Sequence, residues 1–121
     1  MTKTVLTVDD SRTMRDMLMV ALSTAGYRVV QAEDGVHGLE VLQSTVPDVI
    51  ITDINMPKMD GFGFIEGVRG NKRHRAIPIL VLTTESDSAK KDKARRAGAT
   101  GWIVKPFDPI KLVDAIRRVA A

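Results

Sequence analysis

Asp48-Val49-Ile50-Ile51-Thr52-Asp53 decides how this sequence folds. Its apolar centre is continuous rather than alternating, so a strand formed here must be covered on both faces. Such a strand belongs inside a parallel sheet with helices on either side. Ile79-Leu80-Val81-Leu82 repeats the pattern. With three further runs rich in β-branched residues, strands are predicted at Thr4–Val8, Arg28–Ala32, Asp48–Thr52, Pro78–Leu82 and Gly101–Val104. The intervening segments carry helical spacing. Met14, Met17, Leu18, Ala21, Leu22 and Ala25 form one apolar stripe, and Ile110, Val113, Ile116 and Val119/Ala120 form another. Strict alternation of strand and helix predicts a (βα)5 α/β fold, an open doubly wound parallel sheet with right-handed crossovers.

Punctuation supports these divisions. Gly26, Gly70 and Gly98 follow helical segments, where a left-handed C-cap favours glycine. Asp108-Pro109 sets a capping carboxylate before a proline at the first helical position. Asp34, Asp60, and Ser86 or Asp87 are the expected N-caps of the second, third and fourth helices. Ser88–Ala97 has only alanines to bury. At about 25 cal/mol per Å² of apolar surface it gains little from docking, and it is expected among the less firmly held elements.

Composition narrows the function classes. The chain has 121 residues, 44% hydrophobic and 27% charged, which suits one globular domain. Without cysteine it has no disulfide, no thiolate metal site and no cysteine nucleophile. Met1-Thr2-Lys3 leads directly into the first strand with no signal-peptide core, and no apolar run could span a bilayer. A cytoplasmic protein without membrane insertion is expected.

The net charge of +3 is an average of two unlike halves. Residues 1–60 hold five basic and nine acidic side chains, net −4, while residues 61–121 hold thirteen and six, net +7. Lys90, Lys91, Lys93, Arg95, Arg96, Arg117 and Arg118 are expected to form a face for an acidic protein partner rather than for nucleic acid. His37, His74 and the stretch Asn71–Arg75 are expected to face solvent. The six methionines are expected as core filler.

Polar residues gather where the strands end. Asp9-Asp10 follows the first strand, Asp53 the third, Thr83-Thr84 the fourth and Lys105-Pro106 the fifth, with a less definite Glu33-Asp34 after the second. Open α/β sheets bind ligands at these carboxyl ends. In the order 2-1-3-4-5 the four richly equipped ends are contiguous. Taken singly, Asp9-Asp10 could cap a helix, Thr83 could end a strand and Lys105 could be a solvated lysine. Taken together they outline a phosphoryl-acceptor site. Clustered carboxylates need a compensating cation, and an all-oxygen donor set favours a hard ion such as Mg²⁺. A carboxylate can serve as nucleophile, and a lysine and a threonine can hold the transferred oxygens.

Val8-Asp9-Asp10-Ser11, Ile51-Thr52-Asp53-Ile54-Asn55-Met56-Pro57 with Met59-Asp60-Gly61, Leu82-Thr83-Thr84-Glu85 and Val104-Lys105-Pro106-Phe107 resemble the response-regulator receiver family. The likeness covers essentially the whole chain in order. It implies the flavodoxin-like strand order 2-1-3-4-5, which is therefore not an independent reading of the spacing. It also implies one receiver domain over residues 1–121 with no effector domain.

Residue roles follow from the same resemblance. Asp53 accepts a phosphoryl group from a histidine kinase in a two-component phosphorelay. Asp10, Asp53 and the backbone carbonyl of Asn55 ligate Mg²⁺, with Mn²⁺ able to take its place, and Asp9 helps through water. Lys105 pairs with phosphoryl oxygens, Thr83 moves to hydrogen-bond one, and the Lys105–Pro106 bond is cis. Trp102 stands where an aromatic residue follows that threonine inward. Asn55 and Glu85 flank the phosphoryl group and tune water access.

Within the family the chain is most similar to single-domain chemotaxis regulators. That implies a monomer signalling through the fourth helix, fifth strand and fifth helix to the flagellar motor switch. The alternative within the family is a phosphorelay intermediate or phosphate sink. The reading is of a phosphoacceptor, not a multiple-turnover enzyme. A Mg²⁺-dependent aspartyl-phosphate phosphatase of the haloacid dehalogenase type would want an aspartate at position 55, where asparagine stands. Flavin binding would want a hydroxyl- and glycine-rich loop in place of Asp9-Asp10.

Overall fold

Strand and helix alternate through the computed structural model, which describes residues 2–120. In chain order these are β1 (Thr4–Val8), α1 (Arg12–Thr24), β2 (Arg28–Ala32), α2 (Gly35–Leu42), β3 (Val49–Thr52), α3 (Gly61–Arg69), β4 (Ile79–Thr83), α4 (Ser88–Ala97), β5 (Gly101–Val104) and α5 (Pro109–Val119). The strands pair in parallel in the order β2-β1-β3-β4-β5. Every residue of β3 and β4 is buried, whereas the edge strands β2 and β5 are partly exposed.

Alternate residues of the central strands feed two separate cores. Leu6, Val8, Ile50, Ile79 and Val81 pack with Phe64, Ile65 and Val68 of α3 and Leu42 of α2. Val5, Val49, Ile51, Leu80 and Leu82 pack with Leu18 and Leu22 of α1 and Leu112 and Ile116 of α5. This double coverage is the physical reason for the unbroken apolar runs.

Three strand limits differ by one residue from the sequence reading. β3 starts at Val49 because Asp48 acts as a terminator, its carboxylate accepting from the Thr4 N–H at 2.7 Å. β4 starts after Pro78, which has no N–H, and continues through Thr83, paired with Val104.

Asp34, Asp60, Asp87 and Asp108 all cap their helices with side-chain oxygens, as does Ser11. Gly26 and Gly98 have positive φ, 92° and 120°. Gly70 does not: at φ −75° it continues the right-handed turn of α3, so no left-handed cap forms there.

The loop after α3 is also less open than its polarity suggests. His74 is buried, 4% exposed, because successive turns (His74 N–H to Asn71 O, Ile77 N–H to His74 O) fold it inward, and its Nε2 has no hydrogen-bond partner. His37 is half-buried and its Nδ1 accepts from the Glu33 N–H at 3.2 Å. Arg69 clasps this region. Its guanidinium donates to Gly98 O (3.0 and 2.8 Å), Arg75 O (3.0 Å) and Ile77 O (2.7 Å). In α4 only Ala94 is fully buried. Among the described residues no helix is long and apolar enough to cross a membrane.

Candidate phosphoacceptor site

The backbone ladder continues just past the strand ends and sets the acidic residues side by side. The Asp9 N–H bonds Ala32 O at 3.1 Å, the Asp53 N–H bonds Val8 O at 3.0 Å, and the Lys105 N–H bonds Thr83 O at 2.8 Å. From this last position the Lys105 ammonium crosses to the acids. It donates to Asp9 Oδ2 at 2.9 Å and to Asp53 Oδ2 at 2.8 Å. The second oxygens are held by backbone: Asp53 Oδ1 by the Ile54 N–H at 2.6 Å, Asp9 Oδ1 by the Ser11 N–H at 2.9 Å. Asp9 and Asp53 are buried, while Asp10 is exposed.

Helix α3 closes in from the side. The Gly61 N–H donates to Ile54 O at 2.8 Å, and its Cα approaches so near that a Cβ would lie 2.3 Å from the Asp53 carbonyl oxygen. Glycine at the first position of α3 is thus what lets the helix seat against the backbone of Asp53.

Electrostatics leave the cluster short of positive charge. Burial pushes the Asp9 carboxyl above its ordinary range, and the bonds from Lys105 and Ser11 offset this only in part. Burial also acts to lower the Lys105 pKa, but its bonds to Asp53 and Asp9 outweigh it and raise the net value. The ammonium therefore stays protonated while shared between two carboxylates. One ammonium faces three acids, and an oxygen from each of Asp9, Asp10 and Asp53 lies within 4.8 Å of the others. The cluster's net charge and all-oxygen donor set suit a small divalent cation.

The remaining candidates form a second group on the adjoining loops. Asn55 is exposed after β3, and its Nδ2 donates to Glu85 Oε1 at 3.1 Å. The Lys90 ammonium, from the first turn of α4, donates to the same oxygen at 3.1 Å. Thr83 is buried at the end of β4, its Oγ1 accepting from the Glu85 N–H at 3.4 Å and making no bond to Asp53. Trp102 is half-buried on β5, and its Nε1 donates to Glu85 O at 3.1 Å. The Lys105–Pro106 bond is cis. Glu85 thus touches Asn55, Lys90, Thr83 and Trp102.

The seven basic residues expected on one face are spread over several. Lys91 and Arg95 line a cleft of about 380 Å³ between α4 and β5, together with Asp92 and Trp102. This cleft lies away from the acidic cluster. Lys90 turns to Glu85, and Lys93 stands 4.3 Å over the Phe62 ring of α3. Arg95 and Arg96 both pair with Asp92, Arg96 at 3.2 Å. Arg117 borders the α1–α5 groove and sits 3.9 Å from Asp114, and Arg118 is exposed. Lys90, Lys93, Arg95 and Arg96 each engage a neighbour of their own, so the basic run in sequence does not present one open basic surface. Sequence reasoning missed the Lys90–Glu85 pair, which depends on where α4 begins, and the Arg69 clasp, which only the loop path reveals.

Residues 5–117 match the family described as Response regulator receiver domain. Chemotaxis protein CheY1 of Helicobacter pylori is 42% identical over 116 residues, 94% of this chain and 94% of that protein. The probable transcriptional regulator ycf27 of Guillardia theta is 41% identical over 115 residues, 95% of this chain, which spans only 44% of that longer protein. Among solved structures, the chemotaxis response regulator CheY4 of Vibrio cholerae has a TM-score of 0.92 at 45% identity, covering 98% of this chain and 99% of that one.

Proposed function

Since the chain belongs to the response regulator receiver family, we propose that it is a phosphoryl-operated switch whose acceptor is Asp53. The observation that carries this reading is the Lys105 ammonium held between Asp9 and Asp53 beside Asp10, at the carboxyl end of a parallel sheet. With Asp53 Oδ1 engaged by the Ile54 N–H, Oδ2 is the oxygen left to react once Lys105 moves aside. It attacks the phosphorus of a phosphohistidine on a histidine kinase. The P–N bond breaks, and its electron pair stays on the imidazole nitrogen. Lys105 then transfers its hydrogen bonding from the carboxylate to a phosphoryl oxygen. Mg²⁺, or Mn²⁺ in its place, held by Asp10, Asp53 and the Asn55 carbonyl with Asp9 behind, would offset charge on the transferring group.

Signalling follows from what the new dianion attracts. The Thr83 hydroxyl, now an acceptor for the Glu85 N–H, gains a reason to donate toward the phosphoryl group. Glu85 is also bonded to Trp102, so a displaced β4–α4 loop is felt at the α4–β5 cleft. Trp102, Lys91 and Arg95 there suit an acidic, partly apolar protein segment.

The near full-length likeness to proteins named for chemotaxis supports output in chemotaxis, and the target we propose is the flagellar motor switch. We read the protein as a cytoplasmic monomer that turns over only its own phosphoryl group. A phosphorelay intermediate remains the competing role within the family. Radiolabel from a phosphorylated histidine kinase should pass to the wild type and not to Asp53→Asn. Onward transfer to a histidine phosphotransfer protein, in place of phosphorylation-dependent motor-switch binding, would favour the relay. Labelling of Asp53→Asn would refute the acceptor assignment.

A further inference from the structure

We propose that Lys90 is a positioning residue for this chemistry, acting through Glu85 to keep the mouth of the phosphoacceptor cleft strapped. The inference rests on the receiver reading above and adds to it. Glu85 Oε1 accepts from two donors at 3.1 Å each, Asn55 Nδ2 and Lys90 Nζ. Asn55 stands two residues beyond Asp53 on the loop after β3, and Lys90 belongs to the first turn of α4. β3 and β4 are neighbours in the sheet, so the Asn55–Glu85–Lys90 chain runs from one loop to the next beside Asp53. The side chains of Lys90 and Glu85 are 43% and 27% exposed, so the strap sits at the rim and answers to salt.

Lys90 is the partner on which this arrangement depends. Helix α4 buries only Ala94 completely, so apolar packing does little to hold its first turn toward the site. Of the two donors on Glu85, only Lys90 carries a charge, and its bond is the stronger tie. Without the ammonium, Glu85 keeps one neutral amide donor in a solvated position, a weak tie.

Asn55 stands two residues from Asp53 at the carboxyl end of the sheet, so in this proposal a small phosphodonor and a hydrolytic water both pass the strap to reach Asp53. In hydrolysis, a water oxygen bonds to phosphorus and the bond from phosphorus to Asp53 oxygen breaks. The electron pair returns to the carboxylate, and the water protons leave with inorganic phosphate. Loosening the strap should therefore speed loading from a small donor and hydrolysis together, a pattern that simple damage to the site would not produce.

The test compares wild type, Lys90→Met, Lys90→Arg, and Lys90→Met in a Glu85→Gln background, using acetyl phosphate with Mg²⁺ and following both loading and decay. Lys90→Met should raise both rates by about twofold to fivefold, the range open to a single rim ion pair. Lys90→Arg should restore wild-type rates, and the change should vanish in the Glu85→Gln background. Raising salt should speed the wild type toward the Lys90→Met rates and leave that variant unmoved. Unchanged or slower rates in Lys90→Met, or an equal effect without Glu85, would overturn the role of Lys90 while leaving the receiver reading intact. Failure of the wild type to load at all would remove the proposed acceptor function of Asp53 and this inference with it.

Discussion

Gly61→Ala should damage the acceptor site from a residue that takes no part in the chemistry. The added Cβ would sit 2.3 Å from the Asp53 carbonyl oxygen, 2.8 Å from Ile54 Cα and 2.9 Å from Ile54 Cδ1. Ordinary contact begins at 3.4 Å, so α3 or the end of β3 must retreat by about 1 Å. Overpacking of this kind costs about 1–3 kcal/mol. For a chain of this size that lowers Tm by roughly 4–12 °C. Because the displaced carbonyl belongs to Asp53, the proposed acceptor, a shift near 1 Å should also slow acetyl-phosphate loading, by about 10- to 100-fold.

Gly26→Ala is the matched control. It forces a side chain to φ 92° but meets nothing within 4 Å, and it lies at the far end of α1. It should cost about 1–2 kcal/mol and leave loading unchanged. Thermal melts and intact-mass time courses give both quantities. A Gly61→Ala protein melting within about 1 °C of wild type and loading at the same rate would refute the close approach of α3 to Asp53.

Arg69→Ala should destabilise the fold by about 2–4 kcal/mol in urea unfolding, since one guanidinium serves three carbonyls. Arg69→Lys should recover less than half of that, because an ammonium lacks the fork that reaches Gly98, Arg75 and Ile77 together. The Asp9 carboxyl is raised in the fold from an ordinary 3.8, chiefly by burial. Its contribution to stability is therefore full below about pH 3.8 and is lost as pH rises through the higher folded value. In metal-free buffer, Asp9→Asn should gain on wild type as pH rises from 3 to 7 in urea titrations, and a parallel pair of curves would contradict this. Trp102 is the sole tryptophan, and its indole bonds the β4–α4 loop at Glu85 O. Its emission should change on phosphorylation in the wild type and stay unchanged in Thr83→Ala, where the loop has lost its hydroxyl.

The strands were legible because burial on both faces leaves a signature that solvent-exposed structure does not. Val49-Ile50-Ile51 and Ile79-Leu80-Val81-Leu82 have no polar face to lose, and the structure divides them between two cores. Aspartate caps were legible for a similar local reason: each needs only its own helix start. The strand order came from the family resemblance, since crossover chirality alone does not select it.

What escaped depends on side-chain direction and loop path. Gly70 reads like Gly26 and Gly98 in sequence, but α3 tightens into the next turn instead of reversing. His74 lies between arginines in a polar run, and successive turns still carry it inside. The basic residues of α4 read as one surface until Lys90 meets Glu85 and Lys93 meets the Phe62 ring of α3. At the site, the converging strand ends were readable; the single ammonium shared by Asp9 and Asp53 was not, because it depends on a lysine reaching across from β5.

The most direct test of the central claim is intact mass after acetyl-phosphate treatment, with Mg²⁺ and with chelator, for wild type and Asp53→Asn. Asp53 as a metal-assisted acceptor requires one added phosphoryl group in the wild type with Mg²⁺, little with chelator, and none in Asp53→Asn. Equal labelling of Asp53→Asn, or labelling of the wild type indifferent to Mg²⁺, would contradict it.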